Sequence, residues 1–265
     1  MHEELFAPIP DPEAYKKRIG LEGVELGADK ESLDRIVRSH LQNVAFENLD
    51  SWGRGLCPEL GIEALFEKIV LRHRGGWCFE LNSLFNAFLR SLGFETYMVV
   101  SHVMAGSTEL RPPAHCSVIV LLDGEKYFCD VGYGGSVPKG AVNMNGKADF
   151  GFSIRREGVY TQVFNEAAQR LEIQFKDIPA SPVEFVPLNF YISQIPSSPF
   201  RNGLHLNLRL PDGSVGLVEG VLKYRSGLEH LERFVSVEEL PGVLDKYFRI
   251  KCEGVRFRPY GPIDV

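Results

Sequence analysis

The chain has 265 residues, 44% apolar and 24% charged, with a formal net charge of −6 at pH 7; a chain this long buries about three quarters of the surface its unfolded form exposes and needs neither disulfide nor metal to fold. The acidic balance argues against a nucleic-acid partner, and the longest apolar run, Val118 to Leu122, is five residues, far short of the ~18 of a membrane span. The five cysteines are scattered without a Cys-x-x-Cys pair and Met1 to Leu5 has no signal-peptide character, so the expectation is no metal site, no membrane partner and a reducing, cytoplasmic setting, with the oligomeric state open.

The first ninety residues carry helical periodicity. Asp11-Pro12 is an N-cap followed by Pro at the first helical position. Leu33, Ile36, Val37, His40, Leu41 and Val44 recur at helical spacing, as do Ile62, Leu65, Phe66, Ile69 and Val70. A third helix begins near Cys78 with the stripe Cys78, Leu81, Leu84, Phe85, Phe88, Leu89 and Leu92, and Gly93 sits where a helix terminates. After Gly93 the period changes. Thr96 to Val103 is β-rich, and Ser117 to Leu122 and Glu125 to Val131 flank Asp123-Gly124, a type I′ hairpin signal. Further β-like runs lie at Val159 to Val163, Leu171 to Phe175, Leu204 to Leu210 and Val215 to Val221, and a short helix spans Pro241 to Phe248. Helices first and strands afterwards predict an α+β protein. The period changes place boundaries near 93 and 202.

Two features carry chemistry. In Arg74-Gly75-Gly76-Trp77-Cys78 the glycines permit a tight turn, and the helix they open places free N–H groups and a partial positive charge beside Cys78. Both favour a thiolate, the nucleophilic form; a buried structural Cys on an apolar stripe is the alternative. Cys57, Cys116, Cys129 and Cys252 lack such surroundings. In the hairpin, a two-residue loop at Asp123-Gly124 pairs Leu122 with Glu125, Ile119 with Phe128 and Ser117 with Asp130. His115 and Asp130 then share a face as diagonal neighbours. A carboxylate that holds one ring nitrogen leaves the other free to move protons; a structural His–Asp pair is the alternative. Together these make a Cys78–His115–Asp130 series of the cysteine-hydrolase kind. The remaining histidines have no comparable partner in the pattern, with His40 assigned to helix packing and the others to surface or loops.

Several ordered motifs cover nearly the whole chain: Phe46-Glu47-Asn48-Leu49-Asp50, Arg74 through Asn82, His115, Asp130-Val131-Gly132-Tyr133-Gly134, Asn189-Phe190-Tyr191 and Ser198-Pro199-Phe200. In these the chain resembles the arylamine N-acetyltransferases. The resemblance implies an N-terminal helical domain (1–93) carrying the cysteine, a central β-barrel (94–202) carrying the histidine and aspartate, and a C-terminal α/β lid (203–265). Its core would be like that of papain and the transglutaminases. It implies a Cys78–His115–Asp130 triad acetylated by acetyl-CoA, with an arylamine or arylhydrazine taking the acetyl group. It further implies that Glu47 and Arg74 form an ion pair beside the site, that Phe46, Tyr133 and Phe200 line the acceptor pocket, and that Gly132, Gly134 and Gly135 lie beside the cofactor.

The chain departs from the family pattern at Arg111-Pro112-Pro113-Ala114 before His115, at Tyr133 where Phe is commoner, and at Gln194 and Ile195. These bear on acceptor and donor preference and leave the triad assignment intact. The rival expectations are an amide synthase using a carrier-protein thioester, a peptidase- or transglutaminase-like cysteine enzyme, and a binding module that has kept the fold.

Overall fold

Aspartates start the first two helices. In the computed structural model, which describes residues 2–261, Asp11 accepts the Ala14 N–H at 3.0 Å and opens α1 (Pro12–Arg18). Asp29 accepts the Ser32 N–H at 2.8 Å and opens α2 (Lys30–Asn43). Each cap satisfies a backbone donor that the helix itself leaves unpaired. The chain continues through a two-residue strand β1 (Phe46–Glu47), α3 (Leu49–Arg54) and α4 (Ile62–Phe66), which runs into a π-type turn, Glu67–Leu71. Then comes α5 (Cys78–Ser91), the central helix of the N-terminal part. Phe79, Leu81, Leu84, Phe85, Phe88 and Leu89 of α5 are all fully buried. It ends where expected, with Gly93 at φ +87°, a conformation glycine adopts without strain.

The second layer is a seven-stranded antiparallel sheet of β2 (Glu95–Val103), β3 (His115–Leu122), β4 (Glu125–Cys129), β5 (Val142–Asn143), β6 (Phe152–Glu157), β7 (Tyr160–Asn165) and β8 (Arg170–Phe175). Its order is β5-β4-β3-β2-β8-β7-β6, and the edge strands β5 and β6 come back into contact, so the sheet is a nearly closed barrel. Alternation divides its side chains. Val99, Ile119, Phe128, Val142, Ile173 and Phe175 fill the interior. Cys116, Val118, Val120 and Cys129 face outward onto the core built around α5. The hairpin has the expected register, Ile119 opposite Phe128 and Leu122 opposite Glu125, with Asp123 and Gly124 both at positive φ.

After α6 (Pro182–Gln194) and α7 (Pro199–Asn202), the meander β9 (His205–Leu210), β10 (Gly213–Val218), β11 (Val221–Ser226) and β12 (Glu229–Phe234) forms a second sheet. Its other edge is β1, with Phe46 opposite Asn207. A short helix α8 (Leu240–Val243) and the turn Leu244–Phe248 pack beneath it together with Trp52. Here the structure departs from the periodicity. The run expected at 215–221 is broken by a turn at Glu219-Gly220, both at positive φ, and Val221 begins the next strand. β12 is a half-exposed edge strand rich in charge, and α6 has apolar residues on all sides and an internal Pro187, so neither shows a clean period.

Candidate active site

Cys78 is the first residue of α5. Gly75 and Gly76 allow that placement, because a Cβ on Gly75 would lie 2.1 Å from the Ala45 carbonyl oxygen and one on Gly76 2.9 Å from Glu80 Oε2. The Gly76 N–H donates to Ala45 and the Glu47 N–H to Gly76, so β1 is stitched to the turn that delivers the thiol. Glu80 reaches back to accept the Trp77 N–H at 3.1 Å. The Cys78 Sγ lies 3.7 Å from the Ala114 carbonyl oxygen, next to His115.

A chain of buried and half-buried ions braces this turn. Glu47 Oε1 accepts from Arg74 Nε at 2.9 Å and pairs with Nη2 at 2.7 Å; the same Nη2 lies 3.3 Å from Asp50. Lys68 pairs with both Asp50 and Glu80 at 2.7 Å. Burial pushes the Glu80 carboxyl up to about 7 against the opposing pull of Lys68. For Asp50, Lys68 and Arg74 overcome burial and bring the carboxyl down to about 2. The Glu47–Arg74 pair is where the motifs place it. Asp50, Lys68 and Glu80 carry no local signal for this role, since they meet only when α3, the π-type turn and α5 are packed.

His115 opens β3 and Asp130 follows β4. His115 Nε2 lies 2.5 Å from Asp130 Oδ2, and both residues are almost wholly buried. Asp130 is saturated with donors. Ser117 Oγ donates to Oδ2 at 3.0 Å, while Asn82 Nδ2 and the Gly132 and Tyr133 N–H groups donate to Oδ1 at 3.1, 2.9 and 3.0 Å. Burial would depress the imidazole's pKa, but the Asp130 carboxylate, and after it Cys78, push it up to about 10. With Nε2 engaged by Asp130, Nδ1 is the nitrogen left for the thiol. Thiol, imidazole and carboxylate are therefore brought together from three elements. The sequence assigns Asn82 and Ser117 no role toward the Asp130 carboxylate, yet both positions are legible in it. Asn82 is four residues along α5 from Cys78, hence on its face, and Ser117 comes opposite Asp130 when the hairpin register is carried one pair beyond Val118–Cys129.

The thiol opens into a cavity of about 490 Å³ between barrel, α6 and the second sheet. Phe46, Tyr133 and Phe200 all line it, as do Gly132, Gly134 and Gly135. The rings pack on one another: Phe46 to Phe200 at 5.8 Å between centroids, Trp77 to Phe200 at 6.1 Å and Tyr133 to His115 at 5.8 Å. The glycines are there because nothing larger fits. A Cβ on Gly134 would lie 2.8 Å from the Phe46 ring, and one on Gly135 would lie 2.6 Å from the Tyr133 ring. His205, expected at the surface, is instead half-buried, edge-on to Phe200 at 5.3 Å and part of the cavity wall. Among the described residues no group of three or more His, Cys, Asp or Glu side chains could hold a metal, and no helix is long and apolar enough to cross a membrane.

A thiol at a helix start, beside an imidazole oriented by a carboxylate and opening into an aromatic-lined pocket, is the arrangement of a cysteine acyl-transfer enzyme. The chain belongs to the N-acetyltransferase family, whose model matches residues 29–256. A curated relative, arylamine N-acetyltransferase 1 of Oryctolagus cuniculus, is 30% identical over 91% of this chain and 94% of its own. The arylamine N-acetyltransferase of Mycobacterium smegmatis superposes with a TM-score of 0.84 at 26% identity, covering 94% of this chain and 95% of that one. The Mycobacterium marinum arylamine N-acetyltransferase, solved in complex with CoA, shares the fold at TM-score 0.83 and 22% identity, over 93% and 95% of the two chains. The protein is an acyltransferase.

Proposed function

We propose that the protein moves an acetyl group from acetyl-CoA to arylamines and arylhydrazines in two half-reactions, through an acetyl thioester on Cys78. The observation that carries this reading is the Cys78–His115–Asp130 constellation opening into an aromatic pocket. In the first half-reaction the Cys78 sulfur, its negative charge stabilised by the α5 N-terminus and the His115 imidazolium, attacks the thioester carbonyl. The tetrahedral intermediate collapses, the CoA sulfur leaves, and His115 supplies its proton. In the second the amine attacks the acetyl carbon, His115 takes the amine proton, and the Cys78 sulfur departs. Asp130 fixes the ring with Nδ1 toward the sulfur throughout. Phe46, Trp77, Tyr133 and Phe200 suit a flat acceptor and keep out water that would hydrolyse the acetyl-enzyme.

Acetyl-CoA as donor fits the family and the thin, side-chain-free wall at Gly132, Gly134 and Gly135, which we assign to the cofactor side of the pocket. We assign 1–93 as the helical domain carrying the cysteine, 94–202 as the barrel domain carrying His115 and Asp130, and 203–265 as the lid. We place the enzyme in the cytoplasm, a reducing compartment where the Cys78 thiol stays free. The test is intact-protein mass after mixing with acetyl-CoA alone, with Cys78→Ala in parallel. One acetyl group on the wild type only, discharged by an added arylamine, is the expected result. No adduct on folded wild type whose Cys78 still alkylates would overturn the reading and direct the search to carrier-protein thioesters and peptides.

A further inference from the structure

One buried carboxylate near the pocket takes no part in the steps above. Glu172 on β8 is fully buried. It is also the extra residue of a β-bulge: Val163 pairs with Ile173 and Phe164 with Leu171, leaving Glu172 unopposed on β7. A bulge re-aims a side chain and interrupts a ladder, and is placed next to functional sites more often than chance allows. Here it turns the carboxylate to the inside of the fold, where Arg170 Nε and Asn165 Nδ2 donate to Oε1 at 2.8 and 3.1 Å.

What it holds is the pocket wall. The Tyr133 hydroxyl donates to Glu172 Oε2 at 3.2 Å. Asn165 Nδ2 also donates to Ser136 Oγ at 3.2 Å. Arg209, from the second sheet, donates to the Gly135 carbonyl at 3.0 Å. Besides the Gly132 and Tyr133 N–H bonds to Asp130, side chains tie the turn 132–136 at Tyr133, Gly135 and Ser136, and two of these three side-chain ties run to or through Glu172. The Tyr133 ring stands 5.8 Å from the His115 ring, edge-on, and both rings line the pocket into which Cys78 opens. A buried ion held by this many groups is a poor way to gain stability.

We propose that Glu172 is a positioning residue for the acceptor pocket: through Tyr133 it fixes the width of the wall facing Cys78 and so the ring systems that reach the acetyl group. This rests on the acetyl-transfer reading above. Substrate discrimination is then a property of the Glu172–Tyr133 tether, and releasing the ring widens the pocket.

The experiment compares kcat/KM for a narrow arylamine, p-toluidine, and a wide one, 2-naphthylamine, with the rate of Cys78 acetylation by acetyl-CoA measured separately. Glu172→Val removes the tether. The naphthylamine/toluidine ratio is expected to rise about fivefold, the worth of one hydrogen bond, while acetylation stays within about twofold. Tyr133→Phe removes only the hydroxyl and should raise the ratio equally, and the double variant should add nothing. Glu172→Gln keeps a tether, since its amide nitrogen can donate to the Tyr133 oxygen, and should hold the ratio near the wild-type value. An unmoved ratio in folded Glu172→Val, or additive effects of the two changes, would overturn the proposal. If Glu172→Val does not fold, Tyr133→Phe decides alone, a wild-type ratio counting against. A wild type that is never acetylated defeats the acetyl-transfer reading instead. The ratio is then read from the two amines' dissociation constants, by quenching of naphthylamine fluorescence and its displacement by toluidine, with the same criteria.

Discussion

A Cβ built on Gly132 would lie 2.6 Å from the Cys78 Cα and 3.0 Å from the Cys78 carbonyl oxygen. The turn that follows Asp130 therefore lies flat on the first turn of α5, and the absence of a side chain at 132 sets the spacing between that turn and Cys78. The same Gly132 donates its N–H to Asp130 Oδ1 at 2.9 Å.

Gly132→Ala should push the turn and Cys78 apart while leaving the Cys78, His115 and Asp130 side chains chemically unchanged. We expect kcat/KM to fall about a hundredfold, the scale of an ångström-sized misplacement, while Cys78 remains present and alkylatable. Activity near wild type would mean that α5 or the turn can shift without disturbing the Cys78–His115 approach.

Asp130→Asn should act through His115. It removes the largest of the influences that raise the imidazole's pKa, so that pKa should fall from about 10, which NMR titration of the ring would follow. One face of the new amide would also present N–H to groups that are themselves donors, Ser117 and His115 on one side or Asn82, Gly132 and Tyr133 on the other. The loss of kcat/KM should approach the ~10⁴ seen when a triad acid loses its charge. A raised folded-state pKa contributes stability that is complete below the unfolded value of about 6.5 and is lost as pH rises toward 10. Wild-type Tm should therefore decline across that window, and the decline should flatten in Asp130→Asn.

The residues that sequence made visible are those bound by short-range rules. Asp123-Gly124 dictates a two-residue turn, the turn dictates the register, and the register puts His115 and Asp130 on one face. Cys78 is marked by the glycines before it and the periodic stripe after it. The remainder depends on packing between distant segments. Nothing local links Asp50, Lys68 and Glu80 to one another until α3, the π-type turn and α5 converge. The bulge at Glu172 shifts one residue in a run that reads as continuous strand, and β1 is too short for any periodicity to reveal its pairing with β9. Pairings of this kind are decided by tertiary contacts rather than by local propensity.

Lys68→Met should show how much the ion chain matters. Among the described residues Lys68 is the one cation bonded to Glu80 and the nearer of the two on Asp50. Its removal leaves Glu80 buried without its countercharge, at a cost of about 3–5 kcal/mol. Urea unfolding would measure that loss. Adding Glu80→Gln should recover a large part of it, because Gln retains an oxygen for the Trp77 N–H and carries no charge. A Lys68→Met loss that Glu80→Gln leaves untouched would place the effect in packing of the lysine stem.

The pair Tyr15–His40 offers a test remote from the pocket. Both are fully buried, the tyrosine hydroxyl is 2.6 Å from His40 Nδ1, and His40 Nε2 has no hydrogen-bond partner among the described residues. Burial, with a lesser push from Arg18, holds the imidazole down at about 3. A neutral histidine that resists protonation makes the unfolded state the better proton binder between about 6.5 and 3, so stability falls as pH falls through that range. Tyr15→Phe alone leaves Nδ1 unpaired and should cost about 1–3 kcal/mol. Replacing both, Tyr15→Phe with His40→Leu, removes every polar atom of the pair and should recover much of that loss. The double variant should also lose part of the acid-side decline in Tm, and an unchanged decline would assign it wholly to other groups.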